Sequence, residues 1–103
     1  MHDLRQHPRT TETQDLLASL PAIDRPNTIG RVLNLSQGGM LIEGADLNVG
    51  DVTGFELVGP GFRYTGVANV VHTIDRATGL RFLGWKEDAD RRVRSLIENR
   101  SRK

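Results

Sequence analysis

Short apolar segments separated by turn residues occupy most of this chain, and this pattern is the strongest constraint on its fold. Six such segments lie between Asp15 and Trp85, and most of the breaks between them contain glycine, proline or asparagine, which favour turns. Short strands joined by hairpin turns are typical of a closed or nearly closed antiparallel barrel. We therefore predict strands over residues 16–20, 28–35, 40–42, 52–58, 62–74 and 79–85.

Side-chain alternation predicts the two faces of the second of these strands. Successive residues of a strand point to opposite faces of the sheet. In residues 28–35 this rule places Leu33 and Leu35 on one face, and Val32 and Asn34 on the other.

The C-terminal segment has a helical instead of a strand period. From Lys86 onward the apolar residues are spaced so that they form a single helical stripe. Acidic residues precede most of the arginines, as the helix dipole favours. We predict one helix over about residues 86–100, whose stripe consists of Ala89, Val93, Leu96 and Ile97.

Length and composition predict one small domain. A chain of 103 residues with 37% hydrophobic residues fills one core, which is mostly aliphatic because only 5% are aromatic. Residues 1–14 are polar and lack periodicity, so we predict a flexible arm there and a barrel with its helix over 15–103. The sequence contains no cysteine and no apolar run long enough to cross a membrane, and we expect a cytoplasmic protein.

The basic residues indicate the kind of ligand more clearly than the net charge does. The net charge of +1 argues against a nucleic-acid binder with a broad basic face. However, twelve of the fourteen basic residues are arginine, whose planar fork matches phosphate and the edge of guanine. Arg5 and Arg9 lie four positions apart in the predicted arm, where their two guanidinium groups can surround an anionic ligand.

A second polar motif follows the predicted strand 28–35, in the segment Asn34-Leu35-Ser36-Gln37-Gly38-Gly39. Asn34 and Ser36 are two residues apart, so their side chains project from the same face. Gly38 and Gly39 permit positive φ and close approach of a ligand. Either motif alone is more often a structural turn or a solvated arm than a binding site.

Together the two motifs resemble the PilZ domain family. Its signature is an Arg-x-x-x-Arg arm followed about 20–30 residues later by (Asp/Asn)-x-Ser-x-x-Gly. Arg5 and Arg9 match the first part, and Asn34, Ser36 and Gly39 match the second, with Arg9 and Asn34 separated by 25 positions. Gly79 and Phe82 also look like the family's late Gly-x-x-Phe strand. The resemblance implies a six-stranded antiparallel β-barrel with a C-terminal α-helix.

The resemblance also implies a function, namely binding of the bacterial second messenger cyclic di-GMP. It implies that Arg5 and Arg9 grip phosphates and guanine edges, while Asn34 and Ser36 bind the other guanine and a phosphate. Gly38 and Gly39, which carry no side chains, would let the base lie close to the backbone of the turn. Ligand binding would order the arm and change the surface offered to a downstream protein partner.

Two other functions stay open at this point. Some PilZ proteins are protein–protein interaction modules that bind no nucleotide, often in pilus assembly or motility. A single-stranded nucleic-acid binder on a small barrel is disfavoured by the low net charge and the few aromatic residues.

The sequence predicts neither catalysis nor a metal or cofactor. The three histidines have no carboxylate or cysteine partners at ligand spacing, and Ser36 is not part of a Gly-x-Ser-x-Gly elbow. The acidic residues are scattered, and no pair of them is spaced for acid–base chemistry.

Overall fold

A computed structural model describes residues 9–21 and 27–101 of the chain. Within these residues it contains strands and a single helix, and no helix there is long and apolar enough to span a membrane. The elements are β1 (Arg9–Thr10), β2 (Leu17–Leu20), β3 (Thr28–Ser36), β4 (Gly39–Glu43), β5 (Val52–Gly59), β6 (Phe62–Ile74), β7 (Ala77–Trp85) and α1 (Ala89–Ser101).

Strands β2 to β7 form the closed, six-stranded antiparallel barrel that the sequence predicted. The hydrogen-bonded order is β3-β2-β5-β6-β7-β4, and β4 pairs again with β3 to close the ring. Every described pairing is antiparallel. Closure leaves none of these six strands as a free edge, which protects a small sheet from pairing with other chains.

The short strand β1 lies outside the six-strand ring and extends one edge of β3. Arg9 and Thr10 pair with the end of β3, and β2 pairs with its beginning. Between β1 and β2, the buried hydroxyl of Thr13 donates a 2.5 Å hydrogen bond to the carbonyl oxygen of Val32. Residues 9–14, which the sequence assigned to the arm, therefore run along the barrel, whereas residues 1–8 lie outside the described part of the chain.

A β-bulge in β3 changes the faces that the sequence predicted. Val32 pairs with Ile42, but Asn34 pairs with Leu41, so Leu33 is an additional residue on this strand. Val32 and Leu35 are consequently both buried, although they are three residues apart. The prediction that these two side chains face opposite sides is wrong, because the bulge shifts the alternation by one residue.

The barrel interior is mostly aliphatic, with one aromatic cluster. Phe55 is fully buried, its ring stacks on Phe82 with centroids 5.4 Å apart, and the Trp85 ring meets it edge-on at 5.1 Å. Burial of each large apolar side chain stabilises the fold by about 1.5–3 kcal/mol. The other fully buried large hydrophobic residues are Leu16, Leu20, Leu35, Ile42, Leu57, Val70, Val93 and Ile97.

Helix α1 packs on the barrel through the predicted stripe. Ala89, Val93 and Ile97 are buried, and Leu96 is half-buried. The helix begins at Ala89 instead of near Lys86, because the Lys86 N–H donates to the Thr65 carbonyl (2.9 Å) and the next residue has a φ of 55°. This turn redirects the chain from β7 onto the barrel.

Candidate ligand-binding site

The turn between β3 and β4 carries the second polar motif. The Ser36 hydroxyl donates to the Gly39 carbonyl at 3.3 Å. The Gly38 carbonyl accepts a 2.9 Å hydrogen bond from the Phe82 N–H on β7. The turn is therefore attached to its own hairpin and to the neighbouring strand, which holds the polar motif in one position.

Gly38 and Gly39 have different structural roles. A Cβ atom on Gly39 would lie 2.1 Å from the Leu80 carbonyl oxygen, so only glycine allows β4 to pair with β7 here. A Cβ on Gly38 would meet no atom within 4 Å. Neither residue has a positive φ, so the expectation of a positive φ here is wrong. Close approach of β4 to β7 requires glycine at position 39, whereas Gly38 is exposed.

Asn34 and Ser36 lie on the outer face of the barrel. They flank Leu35, which is completely buried, and both are half-buried themselves. Because alternate strand residues share a face, the amide and the hydroxyl project together from the outside of β3. These two groups supply hydrogen-bond donors and acceptors beside a turn in which Gly38 carries no side chain.

The structure brings Arg9 to this polar surface. In the β1–β3 pairing, Arg9 is directly opposite Ser36. Directly opposed residues of antiparallel strands project from the same face with Cβ atoms about 4.5–5.5 Å apart. The exposed Arg9 side chain therefore emerges beside the Ser36 hydroxyl, which unites the two motifs although 27 positions separate these residues in sequence. Arg5, the other arginine of the first motif, lies outside the described residues.

An ion pair occupies the adjoining part of the same outer surface. The Arg31 guanidinium contacts the Glu43 carboxylate across β3 and β4. Its hydrogen bond lowers the pKa of Glu43 below the usual range. Glu43 thus remains ionised and neutralises Arg31, whereas Arg9 has no ion-pair partner among the described residues.

Sequence reasoning missed two features of this surface. One is strand β1, because two residues are too few to show a period. The other is Arg81 on β7, which is directly opposite Gly39. Arg81 lies between Gly79 and Phe82 of the predicted last strand, and its charge between the apolar residues Leu80 and Phe82 was the available signal.

The arrangement is suited to binding an anion and a polar ring. Exposed guanidinium groups provide several N–H donors, and the adjoining amide and hydroxyl are able to donate and accept. Among residues 9–21 and 27–101, no group of three or more His, Cys, Asp or Glu side chains is arranged to hold a metal ion.

Comparison with known families identifies the domain. The family model for the PilZ domain matches residues 3–99. This chain belongs to the PilZ domain family. The match covers both motifs, the whole described barrel and almost all of the helix, so the membership that the sequence motifs indicated is confirmed.

Several solved structures share the fold at low sequence identity. The complex of Escherichia coli YcgR with cyclic di-GMP aligns with a TM-score of 0.79 and 20% identity over 94% of this chain. The separate PilZ domain of the same protein with cyclic di-GMP aligns at 0.76 and 18% identity, covering 97% of this chain and 93% of that one. The Legionella uncharacterized protein Lpg0364 aligns at 0.63 and 16% identity, over 88% of this chain and 90% of that one.

The first of these structures contains a longer chain than this one. The chain spans 46% of the YcgR chain in the first complex. No curated protein matches the sequence.

Proposed function

We propose that this PilZ domain binds cyclic di-GMP on the outer face of the barrel, between the residues preceding β1 and the β3–β4 turn. The register that sets Arg9 opposite Ser36 carries this proposal, because it unites an arginine motif and a polar motif at one surface. The residues proposed to contact the ligand are Arg5, Arg9, Asn34, Ser36, Gly38 and Gly39.

The chemistry of the surface fits this ligand. Cyclic di-GMP carries two phosphates and two guanines, and arginine binds both phosphate oxygens and the O6 and N7 atoms of guanine with its planar fork. Arg9 and Arg5 supply the guanidinium groups, and Asn34 and Ser36 supply neutral hydrogen bonds from the barrel. Two of the structural neighbours, both YcgR, were solved with cyclic di-GMP, which supports the same ligand here.

The proposal includes a signalling role without catalysis. Binding closes residues 1–8 over the ligand, with Arg9 on β1 as the point from which they extend. Ordering this segment costs conformational entropy, which the charged hydrogen bonds must exceed. The ordered segment then presents a new surface to a downstream protein partner in the bacterial cytoplasm, as in other order–disorder switches.

Titration calorimetry with cyclic di-GMP tests the proposal. We expect the wild-type chain to bind, and Arg5→Ala, Arg9→Ala and Ser36→Ala each to weaken binding, the arginine variants by about tenfold or more because each loses a charged hydrogen bond. Arg91→Ala is the matched control, since Arg91 is an exposed arginine on α1 away from the turn. Circular dichroism should show the same barrel in every variant.

Two results would contradict the proposal. One is a wild-type chain that gives no heat and no NMR shifts with the nucleotide. The other is equal affinity in the Arg9→Ala and Arg91→Ala variants. In the first case the nucleotide-independent interaction module becomes the better description, and a partner captured equally by wild type and an Arg5→Ala, Arg9→Ala double variant would establish it.

A further inference from the structure

The outer surface of the barrel has a row of paired residues that continues beyond the β3–β4 turn. Gly39 on β4 is opposite Arg81 on β7, and Arg81 is opposite Asn69 on β6. Opposed residues of antiparallel strands share a face. Because Arg81 is exposed, the side chains of this row lie on the outer face of the barrel. Arg9 stands at the other end, beyond Ser36.

Arg81 is available for a ligand, unlike two other arginines of the described strands. Those strands carry four arginines, and Arg31 and Arg63 each form an ion pair with a glutamate on an adjacent strand. Arg9 and Arg81 have no hydrogen-bond or ion-pair partner among the described residues. The two unpaired strand arginines are therefore the two that flank the turn.

The distance between these arginines suits a ligand that lies across the turn. Arg9 and Arg81 are three inter-strand steps apart, which is about 14 Å at about 4.8 Å a step. This exceeds the Debye length of about 8 Å at physiological salt, so their mutual repulsion is largely screened in water. Between them lie Ser36 and Gly39, and the adjacent Gly38, whose Cβ would meet no atom within 4 Å, leaves open space beside this row.

We propose that Arg81 is a third ligand-binding arginine, which contacts the cyclic dinucleotide from the β7 side while Arg9 contacts it from the β1 side. This inference rests on the proposed function and adds to it a residue outside both sequence motifs. A dianionic ligand centred on Ser36 and Gly39 lies within reach of both guanidinium groups. The bound nucleotide is thus held from two opposite sides of the turn.

Calorimetric titration of the full chain with cyclic di-GMP tests Arg81 separately from the motif residues. We expect Arg81→Ala to raise Kd by about tenfold to a hundredfold, the loss typical of one charge-assisted contact. Arg81→Lys should recover only part of this loss, because lysine keeps the charge but lacks the fork. Arg91→Ala removes one exposed arginine elsewhere and should leave Kd within twofold.

Melting curves and the salt dependence of Kd provide the second measurement. Arg81 is exposed, so its variants should melt with the wild type, and the slope of log Kd against log salt should be smaller for Arg81→Ala than for Arg91→Ala. A wild-type chain that binds while Arg81→Ala binds equally well would overturn the role of Arg81 and leave the proposed function intact. A wild-type chain that does not bind would overturn both.

Discussion

At the β3–β4 turn, the space available for a side chain differs between neighbouring residues in a way that the sequence does not reveal. Gly38 and Gly39 are adjacent and chemically identical, yet one faces open solvent and the other contacts the backbone of β7. The difference arises because the hairpin places β4, but not the tip of the turn, against the Leu80 carbonyl. Substitution at these two positions should therefore have very different consequences for stability.

We expect Gly39→Ala to lower the free energy of unfolding by about 1–3 kcal/mol, the usual cost of forcing extra atoms into a packed site. The added methyl group would displace the Leu80 carbonyl and weaken the pairing of β4 with β7. Urea unfolding followed by circular dichroism measures this change. Gly38→Ala is the matched control and should stay within about 0.5 kcal/mol of wild type. Equal stability of the two variants would show that the β4–β7 contact tolerates a side chain.

At the scale of elements, the last turn of α1 is attached to the segment that joins β1 to β2. Arg100 forms a bidentate ion pair with Asp15, with distances of 2.5 and 2.9 Å, and also donates to the Glu12 carbonyl at 2.7 Å. Arg100 is the more buried partner, with 20% of its side chain exposed against 46% for Asp15. The helix thus supports the segment that follows the proposed ligand-binding arginine Arg9.

The Arg100–Asp15 pair should make stability depend on pH in the acid range. The hydrogen bond from Arg100 lowers the pKa of Asp15 below its ordinary value of 3.8. A lowered pKa in the folded state stabilises the fold above the unfolded-state value, and this contribution is lost as pH falls through the folded-state pKa. We expect Asp15→Asn to cost about 0.5 kcal/mol at pH 7, since solvent reaches the nearly half-exposed Asp15 and screens the pair.

Thermal melts of wild type and Asp15→Asn at neutral pH and near pH 2.5 would measure this effect. The two proteins should differ at neutral pH, and the difference should shrink at the lower pH as Asp15 takes up a proton. Asp46→Asn is the control, because Asp46 is exposed and has no ion-pair partner among the described residues. A difference between wild type and Asp15→Asn that is independent of pH would contradict the role of the ion pair.

The whole molecule consists of a closed barrel and a helix that packs on it. Val93 and Ile97 belong to the same hydrophobic core cluster as the barrel residues Leu35, Phe55 and Leu57. The helix therefore contributes to the only large core of the described residues and is not an independent appendage. A small domain depends on every part of such a core, because its buried area is limited.

We expect Ile97→Ala to lower the free energy of unfolding by about 2–4 kcal/mol, through lost burial and the cavity that remains. Ile97 is completely buried, and the expected loss is a large share of the stability of a small domain. Chemical denaturation should show one cooperative transition at a lower midpoint. Ser95→Ala, on the exposed face of the same helix, should change stability by less than about 0.5 kcal/mol. If Ile97→Ala unfolds at the wild-type midpoint, the helix does not share the barrel core.

Local patterns in the sequence determined the element order and the family. The six predicted strands coincide with β2 to β7 to within a few residues, and the helical stripe of Ala89, Val93 and Ile97 is buried. These features were predictable because period and turn chemistry depend on neighbouring residues. The spacing of the arginine and Asn-x-Ser-x-x-Gly motifs likewise indicated the PilZ family, which the family model confirms.

Only the tertiary structure decided which distant residues meet. The bulge at Leu33, the pairing of Arg9 with Ser36 and the position of Arg81 opposite Gly39 all depend on strand register. Register is set by the packing of one face of the barrel against its core, and a shift of one residue would turn every side chain to the other face. No stretch of the sequence contains that information by itself, so the outer row that includes Arg9 and Arg81 exists only once the barrel has closed.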